Sequence, residues 1–365
     1  MRLGILGGGQ LGRMMALAGY PLGVTCRLLD PKDPTSSGQV AEVLAEPYDH
    51  PEALDRFADG LHAVTYEFEN VDSVALDHLE GRVPVRPGRR ALEVSQDRLA
   101  EKSFFRDHGI DTAPFAAVDT LPQLQDAAER VGLPAVLKTR RFGYDGKGQA
   151  LLREPRDLPD AWEELGGEPL LLEGFVDFDR ELSILGVRAL DGTIEFYPLV
   201  ENHHEDGILR LSYAPAPDLH EALTARAREY ATRVLRDLDY VGVLAIELFQ
   251  VGDRLLANEM APRVHNSGHW SIEGAETSQF ENHVRAALGL PLGSTAMRGH
   301  AAMVNLIGAL PDPADVLRLP DAHLHLYGKE PRPGRKVGHV TVHHDDPDVV
   351  RRRVDALREL EGARP

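Results

Sequence analysis

The chain of 365 residues contains a single cysteine, Cys26. One cysteine excludes an intrachain disulfide, and it also excludes a zinc site made of several cysteine ligands. Cys26 lies within the apolar run 24–29, which is typical of a small side chain buried in a core. The chain is long enough for two or three domains, each with its own hydrophobic core.

Basic residues are outnumbered by acidic ones. The chain has 40 lysines and arginines against 58 aspartates and glutamates, which gives a formal net charge of −18 at pH 7. Most of the surface would repel a phosphate backbone, which argues against a general nucleic-acid-binding role. No apolar run approaches the length of a membrane span, and the first residues lack the layout of a secretory signal. We therefore expect a cytoplasmic protein with no nucleic-acid or membrane partner. Local basic clusters in so acidic a chain become informative.

The first 95 residues alternate apolar runs with amphipathic stretches. The predicted strands are 3–6, 24–29, 62–66 and 83–85, and the predicted helices are 10–18, 51–58 and 71–79. This alternation predicts a parallel sheet with helices on both faces. The segment Arg86-Pro87-Gly88 breaks the alternation, and Ser95 is a candidate N-cap for the next helix.

The rest of the chain has a different pattern. Segments 181–187 and 194–199 predict antiparallel strands, and 219–238 has the clearest amphipathic helical pattern. Segments 240–249 and 254–260 predict a hairpin across Gly252-Asp253.

Residues 7–12 read G-G-G-Q-L-G and lie between a predicted strand and a predicted helix. With Asp30 at the end of the following strand, they meet most requirements of a dinucleotide-binding turn. A turn at the carboxyl edge of a parallel sheet can also hold another small polar ligand. Gln10 and Glu67 would flank such a ligand, because Glu67 follows a strand that ends at the same edge. The motif alone leaves both interpretations open.

Residues 140–149 read R-R-F-G-Y-D-G-K-G-Q and follow the predicted strand 135–138. Three glycines leave backbone N–H groups free to approach an anion, and the arginines and Lys147 add positive charge. The pattern favours a loop that folds over a polyphosphate. The alternative is a polar hairpin turn.

Glu247 and Glu259 lie on the two strands of the predicted hairpin, among apolar neighbours. A two-residue turn would pair Glu247 with Asn258, whereas a three-residue turn would place the two glutamates directly opposite each other. Facing carboxylates repel unless a cation lies between them, and Mg²⁺ shared with substrate phosphates is the natural candidate. The alternative is a pair of acids on a solvated strand face.

Two further segments carry charge in loops shaped by proline and glycine. Residues 261–269 contain Arg263, His265 and Asn266, which can hold a small oxyanion beside the metal. Residues 329–336 place four cations in eight positions, which favours a phosphate site over a solvated turn. His204 is a candidate nucleotide contact, whereas the other paired histidines are expected to be structural.

Together these segments resemble the ATP-grasp superfamily and, more specifically, the 5-(carboxyamino)imidazole ribonucleotide synthases of purine biosynthesis. The resemblance extends over nearly the whole chain. It depends on G-G-G-Q-L-G-R-M, G-Y-D-G-K-G-Q, E-N-H-H-E-D-G-I-L, N-E-M-A-P-R-V-H-N-S-G-H-W and R-P-G-R-K-V-G-H. The resemblance implies that MgATP activates bicarbonate, as carboxyphosphate, for transfer of the carboxyl group to the exocyclic amine of 5-aminoimidazole ribonucleotide. It also implies a homodimer and a mutase of the same pathway that takes the product.

The resemblance implies an α/β and α+β chain with an ATP-grasp fold in three parts. These are a Rossmann-like domain over residues 1–95, an ATP-grasp domain over 96–296 with a mobile lid subdomain at about 112–175, and a small C-terminal domain over 297–365.

The resemblance also assigns roles to residues. The implied ATP contacts are Arg98, Lys102, Lys138, Gly143, Gly146, Gly148, Gln149, Glu173, Gly174, Phe175, Val176, Glu181, His204 and Asn258. Among them Lys138 would face phosphates, Glu173 to Val176 would hold the adenine edge and Glu181 the ribose. Glu247 and Glu259 would hold Mg²⁺.

The ribonucleotide would contact Gln10, Leu11, Glu67, Lys329, Arg332, Arg335 and Lys336, the basic members taking its phosphate. The implied catalytic residues are Tyr144, Asp145, Lys147, Arg263, His265 and Asn266. Asp145 would handle the amine proton, and residues 263–266 would steady bicarbonate or the acyl phosphate.

Two positions depart from the wider superfamily or from some relatives. Many ATP-grasp enzymes carry an asparagine two residues after the second metal-binding glutamate, where this chain has Ala261, a feature that the narrower family shares. Lys147 stands where some relatives carry arginine, which keeps the charge but loses the planar bidentate geometry.

Three other functions are weighed against this one. A NAD-dependent oxidoreductase built on residues 7–12 and Asp30 would leave three features unexplained. These are the glycine-rich loop 140–149, the glutamate pair and the basic segment 329–336. A binding-only ATP-grasp relative would be expected to lose Asp145, Glu247 or Glu259. A formyl-transferring or biotin-carboxylating enzyme is disfavoured by the specific match over residues 258–270.

Overall fold

The computed structural model of the protein describes residues 1–32, 34–143 and 147–362. Tyr144, Asp145 and Gly146 of the glycine-rich loop lie outside the described residues, so their predicted roles stay predictions.

The N-terminal part forms a parallel four-stranded sheet with helices on both faces. Its strands are β1 (Arg2–Leu6), β2 (Thr25–Leu29), β3 (Glu42–Leu44) and β4 (Ala63–Tyr66). Its helices are α1 (Gln10–Gly19), α2 (Pro51–Ala58), α3 (Ser73–Glu80) and α4 (Arg89–Ser95). All pairings in the order β3-β2-β1-β4 are parallel, as the alternating sequence pattern predicts. The predicted strand 83–85 is wrong, because Val85 forms only an isolated bridge to Val64, and β3 was not predicted. The carboxyl edge of this sheet presents the turn 7–12 and Glu67.

A second, antiparallel sheet follows. Its elements are α5 (Arg98–Asp107), β5 (Phe115–Val118), α6 (Leu121–Val131), β6 (Ala135–Thr139), β7 (Gln149–Leu152), α7 (Asp157–Leu165) and β8 (Leu170–Gly174). The strand order is β5-β8-β6-β7. Ser95 is not the N-cap expected for α5, because it is the last residue of α4. Asp97 takes that position, and its side chain accepts hydrogen bonds from the amides of Leu99 and Ala100 at 2.9 and 3.2 Å.

A large sheet occupies the remainder of the chain. Its strands are β9 (Arg180–Arg188), β10 (Ile194–Phe196), β11 (Val200–Glu205), β12 (Ile208–Ala214), β13 (Gly242–Val251), β14 (Arg254–Ala261), β15 (His300–Ile307), β16 (Ala322–Leu326) and β17 (Lys336–His344). The accompanying helices are α8 (Glu221–Asp237), α9 (Ser271–Gly274), α10 (Gln279–Ala287), α11 (Pro313–Leu317) and α12 (Pro347–Gly362). The amphipathic pattern over 219–238 forms α8, which buries Leu223, Ala227 and Val234.

The large sheet joins the central and C-terminal parts of the chain. Its order is β14-β13-β9-β11-β12-β15-β17-β16, with β10 paired to β9. Strand β12 pairs with β15 from Leu211–Val304 to Ala214–Ala301, so the sheet continues across the predicted boundary at residue 297. The C-terminal residues therefore complete the sheet and add a wall to the pocket described below.

Cys26 is buried in the core between the N-terminal sheet and the large sheet, as predicted, and burial raises the pKa of its thiol to about 12. Among the described residues, no helix is both long and apolar enough to cross a membrane.

Candidate active site

One pocket of about 610 Å³ lies where the three sheets meet. The predicted site residues that line it are Gln10, Leu11, Glu67, Arg98, Lys138, Gly143, Lys147, Gln149, Glu173, Gly174, Phe175, Val176, Glu181, His204, Glu247, Asn258, Glu259, Arg263, His265, Asn266 and Lys336. The volume suits a nucleotide-sized ligand. Segments far apart in sequence thus converge on one cavity.

Glu173 is the centre of a buried ion-pair network on one wall of the pocket. Lys138 on β6 donates to its Oε2 at 2.7 Å, and Lys102 on α5 forms an ion pair with its Oε1. Burial raises the pKa of Glu173, but the two lysines outweigh it and lower the value to about 2. Lys138 is therefore held at the pocket surface by its ion pair with Glu173. Lys102 is almost completely buried and lies outside the pocket lining, so it acts behind the wall rather than as a direct contact.

Glu247 and Glu259 face each other on neighbouring strands, although the turn that joins the strands does not have the three residues that a regular hairpin would need for this pairing. The turn has two residues, since Val251 pairs with Arg254. A β-bulge at Asn258 then shifts the register, so Leu248 pairs with Ala257 and Glu247 pairs with Glu259. The facing arrangement was one of the two alternatives, but the inference that a two-residue turn pairs Glu247 with Asn258 is wrong, because turn length alone does not fix the register past a bulge.

The glutamate pair fits a divalent cation. Burial and the neighbouring Glu259 raise the pKa of Glu247 to about 7, which reflects the cost of two close carboxylates. The buried Oδ1 of Asn258 lacks a hydrogen-bond partner within the described residues, so an unused oxygen lies beside the pair. The described residues contain no group of three or more carboxylate, imidazole or thiol ligands. A Mg²⁺ ion here would complete its coordination with phosphate and water oxygens, its usual arrangement.

Arg98 links the glutamate pair to the glycine-rich loop. Its Nη1 donates to Glu259 Oε2 at 2.9 Å, and its Nη2 donates to the carbonyl of Gly143 at 3.3 Å. Arg98 thus supplies positive charge beside the carboxylates at the start of the loop.

His204 and Glu181, both predicted nucleotide contacts, bind each other across β11 and β9. The distance from His204 Nδ1 to Glu181 Oε2 is 2.8 Å. Burial lowers the pKa of His204, but Glu181 and the nearby Glu247 outweigh it and raise the value overall. An imidazole hydrogen-bonded to a carboxylate at the pocket surface is compatible with a ribose hydroxyl contact.

The loop 262–269 begins just after Ala261, at the end of β14, and holds Arg263 and His265 in fixed orientations. Arg263 makes two hydrogen bonds to Glu69, at 2.6 Å from Nε and 3.2 Å from Nη2. The Nε2 of His265 lies 3.2 Å from Glu247 Oε1. Burial and the charge of Arg263 lower the pKa of His265 to about 3, so the imidazole is neutral. The amide of Ser267 donates to His265 Nδ1 at 3.3 Å, which leaves the ring proton on Nε2.

Gln279 on α10 clamps the backbone of this loop. Its Oε1 accepts from the amide of His265 at 2.9 Å, and its Nε2 donates to the carbonyl of the same residue at 2.6 Å. Gln279 is fully buried, so it fixes the loop from behind.

Asn266 pairs its side-chain amide with that of Asn305 on β15. The two reciprocal hydrogen bonds are 3.1 and 2.7 Å long, and Asn305 also donates to the carbonyl of Leu209 at 2.9 Å. The C-terminal part of the chain therefore orients a side chain of the central loop.

The turn 7–12 is filled by a side chain of the protein. Glu67 accepts hydrogen bonds from the backbone amides of Gly9 and Gly12, the latter at 2.7 Å. Asp30 accepts from the amide of Gly8 at 2.7 Å. Glu67 thus occupies the helix N-terminus where a dinucleotide pyrophosphate would bind.

The predicted ribonucleotide contacts divide into two groups. Lys329 forms a hydrogen bond to Gln10, at the N-terminal wall of the pocket, and Lys336 lines the pocket itself. Lys329, Arg332 and Arg335 lie outside the lining, with Arg332 exposed. Gly148, the remaining described residue of the predicted set, also lies outside the lining and has a positive φ of 70°.

Sequence reasoning missed four residues that shape this site: Gln279 and Asn305, which hold the loop 262–269, and Glu69 and Glu101, which line the pocket. Glu69 carried a usable signal, since it lies two residues after Glu67 at the same sheet edge. Asn305 did too, because it is a polar residue within an apolar strand. Gln279 and Glu101 lie on helices with no local pattern that distinguishes them.

Three family models match the chain in succession. The Ribonucleotide synthetase preATP-grasp domain matches residues 1–96, and the ATP-grasp domain matches residues 103–280. The Phosphoribosylaminoimidazole carboxylase C-terminal domain matches residues 301–353.

The chain is similar over nearly its whole length to N5-carboxyaminoimidazole ribonucleotide synthases. The Pseudomonas aeruginosa protein of that name is 51% identical over 360 residues, covering 99% of both chains. The crystal structure of the synthetase from Thermus thermophilus is 59% identical, with a TM-score of 0.95 and 98% of each chain covered. The Aspergillus clavatus synthase in complex with ADP and 5-aminoimidazole ribonucleotide is 33% identical, with a TM-score of 0.91 and 98% of each chain covered.

These relatives do not support the alternative of a NAD-dependent oxidoreductase, in agreement with the Glu67-filled turn. The three matched models, the ATP-grasp fold and the similarity over the full chain agree with one another. The chain belongs to the N5-carboxyaminoimidazole ribonucleotide synthase family of the ATP-grasp superfamily.

Proposed function

We propose that the protein catalyses the ATP- and bicarbonate-dependent carboxylation of 5-aminoimidazole ribonucleotide to its N5-carboxyamino form, in purine biosynthesis. The observation that carries the proposal is the facing pair Glu247 and Glu259 at a pocket that also contains Lys138 and Gln10. A carboxylate pair suited to a cation, a lysine suited to phosphates and the edge of the N-terminal sheet line one cavity. The family relationship identifies the reaction that needs all three.

The first step activates bicarbonate. A bicarbonate oxygen attacks the γ-phosphorus of ATP, the bond to the bridging oxygen breaks, and carboxyphosphate and ADP result. This step converts a poor electrophile into one with a phosphate leaving group. Lys138 and Arg98 would neutralise charge on the phosphates, since such transfers depend on positioning and electrostatics. Mg²⁺ held by Glu247 and Glu259 would supply further charge neutralisation on the phosphate oxygens.

The second step transfers the carboxyl group. The exocyclic amine attacks the carboxyl carbon, the carbon–oxygen bond to phosphate breaks, and inorganic phosphate leaves. Asp145 would take the amine proton, with Tyr144 and Lys147 beside it. Arg263 and neutral His265 would hold the oxyanion, because the pocket fixes both side chains before any ligand arrives.

The ribonucleotide would bind at the carboxyl edge of the N-terminal sheet, where Gln10, Leu11 and Glu67 would contact the ribosyl imidazole. The basic residues near its phosphate would be Lys329, Arg332, Arg335 and Lys336. The adenine edge of ATP would contact residues 173–176, with Glu181 and His204 at the ribose and Asn258 beside the metal. Closure of residues 143–149 would protect carboxyphosphate from water.

We also propose the division into domains 1–95, 96–296 and 297–365, with the lid subdomain at about 112–175. Support comes from the matched family ranges and from the separate sheet formed by β5 to β8.

A cytoplasmic homodimer that passes its product to a mutase is the arrangement expected for this family. Sedimentation at micromolar concentration should give a mass of twice the 40.2 kDa chain.

ADP release tests the proposed function. Purified protein with MgATP should release ADP rapidly only when 5-aminoimidazole ribonucleotide is added with bicarbonate. Glu247→Gln should reduce the rate roughly 100-fold, because the charge stabilisation that depends on the metal is lost. Asp145→Ala should abolish the stimulation by the ribonucleotide.

The control is Glu163→Gln, the same substitution at an exposed position on α7, which should leave the rate unchanged. ADP release that does not depend on the ribonucleotide, or an unaffected Glu247→Gln variant, would contradict the proposal.

A further inference from the structure

Strand β14 carries Asn258 and Glu259, and it is the edge strand of the large sheet. Within the described residues, the side of β14 that faces away from β13 meets other backbone only at a single bridge between Thr112 and Ala257. Backbone groups on such an edge need other partners, and the bulge at Asn258 further weakens the regular ladder.

Helix α5 supplies those partners through two consecutive charged side chains. Glu101 Oε1 accepts a hydrogen bond from the amide of Met260 at 2.6 Å. Lys102 Nζ donates to the carbonyl of Ala257 at 3.1 Å. Each of the two side chains is only 2% exposed. The two contacts hold the backbone of β14 at Ala257 and Met260, the residues that flank Asn258 and Glu259.

The contact from Glu101 matters because a bulged strand can slip. A shift of one residue would turn Glu259 to the opposite face of the sheet and remove it from Glu247. The hydrogen bond to Met260 fixes the residue directly after Glu259, whereas Lys102 fixes the residue directly before Asn258. Lys102 is itself tied to Glu173 and so to Lys138.

We propose that Glu101 is a positioning residue for the metal–nucleotide site, holding β14 so that Glu259 faces Glu247. This inference rests on the proposed function, since it assigns the glutamate pair to a metal. Glu101 acts through the backbone of Met260, because its Oε1 is engaged there and the described residues hold no three-ligand group.

A carboxyl group is a costly side chain at this position. Glu101 is only 2% exposed, and burial of a carboxyl group costs free energy unless its oxygens find hydrogen-bond partners. A core position chosen for stability alone would favour an apolar residue. The retained acceptor oxygen is therefore the useful property, and a neutral amide should provide it equally well.

Binding of Mn²⁺ with ADP, followed by electron paramagnetic resonance, tests the proposal without turnover. Glu101→Gln keeps the acceptor and should bind Mn²⁺ about as tightly as the unmodified protein. Glu101→Met introduces a side chain of similar size that cannot accept the hydrogen bond from the amide of Met260. Because that buried amide then lacks a partner, Mn²⁺ binding should weaken about tenfold or more. Affinity for ADP without metal should change little in either variant.

The control is Glu93→Met, the same substitution at an exposed glutamate on the neighbouring helix α4, which should leave Mn²⁺ binding unchanged. Equal weakening by Glu101→Gln and Glu101→Met, or no weakening by either, would overturn the proposal. Failure of the unmodified protein to bind Mn²⁺ with ADP would instead overturn the proposed function.

Hydrogen exchange provides a measurement that does not depend on how well Glu101→Met folds. In the unmodified protein and in Glu101→Gln, the amide of Met260 should exchange slowly, like a paired amide inside the sheet. Exchange as fast as that of an open edge would show that Glu101 does not hold the strand.

Discussion

Lys329 illustrates how a single residue can set the pH dependence of the reaction. It is half-buried beside Gln10, and burial lowers the pKa of its ammonium group to about 8, with Arg335 and Lys336 adding repulsion. The lysine is charged below that pH and neutral above it. The role proposed for Lys329 at the substrate phosphate therefore predicts weaker binding as the pH rises through 8.

We expect kcat/KM for the ribonucleotide to fall above pH 8, approaching tenfold per pH unit, because this ratio reports on the free enzyme. Lys329→Arg should remove the decline, since arginine stays charged. Steady-state kinetics between pH 7 and 9.5 would measure both. A decline that persists in Lys329→Arg would assign the titration to another group.

Glu173 is the residue on which the stability of the buried ion-pair network with Lys102 and Lys138 depends. Glu173→Gln would leave Lys102 buried without its counter-charge, and breaking such a pair costs about 3–5 kcal/mol. The free energy of unfolding, measured by urea denaturation at pH 7, should fall by that order. Because the folded pKa is about 2, against an ordinary value of 4.5, this contribution is present above pH 4.5 and lost as the pH falls toward 2. A variant as stable as the unmodified protein would contradict this account of the network.

At the scale of elements, the site depends on packing of helices behind loops and strand edges. Helix α10 holds the loop 262–269 through Gln279, and α5 holds β14 through Glu101 and Lys102. These contacts come from the buried faces of the two helices. Their buried polar side chains substitute for the backbone partners that an irregular segment lacks.

Gln279→Leu should reduce kcat by roughly tenfold to a hundredfold, because small displacements of Arg263 and His265 disturb the reacting geometry. KM for ATP should change little, since Lys138 and β8 lie elsewhere. The unpaired backbone groups of His265 should also cost about 1–3 kcal/mol each in stability. Kinetics at a temperature where circular dichroism shows a folded protein would separate the two effects. Normal kcat in the folded variant would show that the loop needs no clamp.

Sequence patterns predicted the parallel N-terminal sheet and helix α8, because both follow regular periods of apolar residues. They also singled out Arg263, His265 and the glutamate pair, which the structure brings to one pocket, because charged residues in apolar or proline-framed surroundings are conspicuous. The pairing of Glu247 with Glu259 through a bulge was not predictable, since no local sequence pattern marks the bulge at Asn258. Gln279 and Glu101 could not be found either, because their roles arise from tertiary packing alone.

At the scale of the whole molecule, the large sheet makes the central and C-terminal parts interdependent. Strand β15 pairs with β12, and Asn305 on β15 orients Asn266. A chain that ends at residue 296 would expose the edge of β12 and lose both Asn305 and Lys336. We expect it to aggregate and to release no ADP, as static light scattering and a coupled assay would show. A soluble, active chain of that length would contradict the interdependence.

In the proposed function, distant segments converge on one pocket so that ATP activates bicarbonate before the exocyclic amine of the ribonucleotide attacks. Bicarbonate labelled with ¹⁸O tests this most directly, with mass spectrometry of the phosphate formed alongside ADP. We expect one labelled oxygen in each phosphate, because the oxygen that attacks ATP leaves with phosphate. Phosphate without the label, formed at the same rate as ADP, would contradict the activation of bicarbonate by ATP.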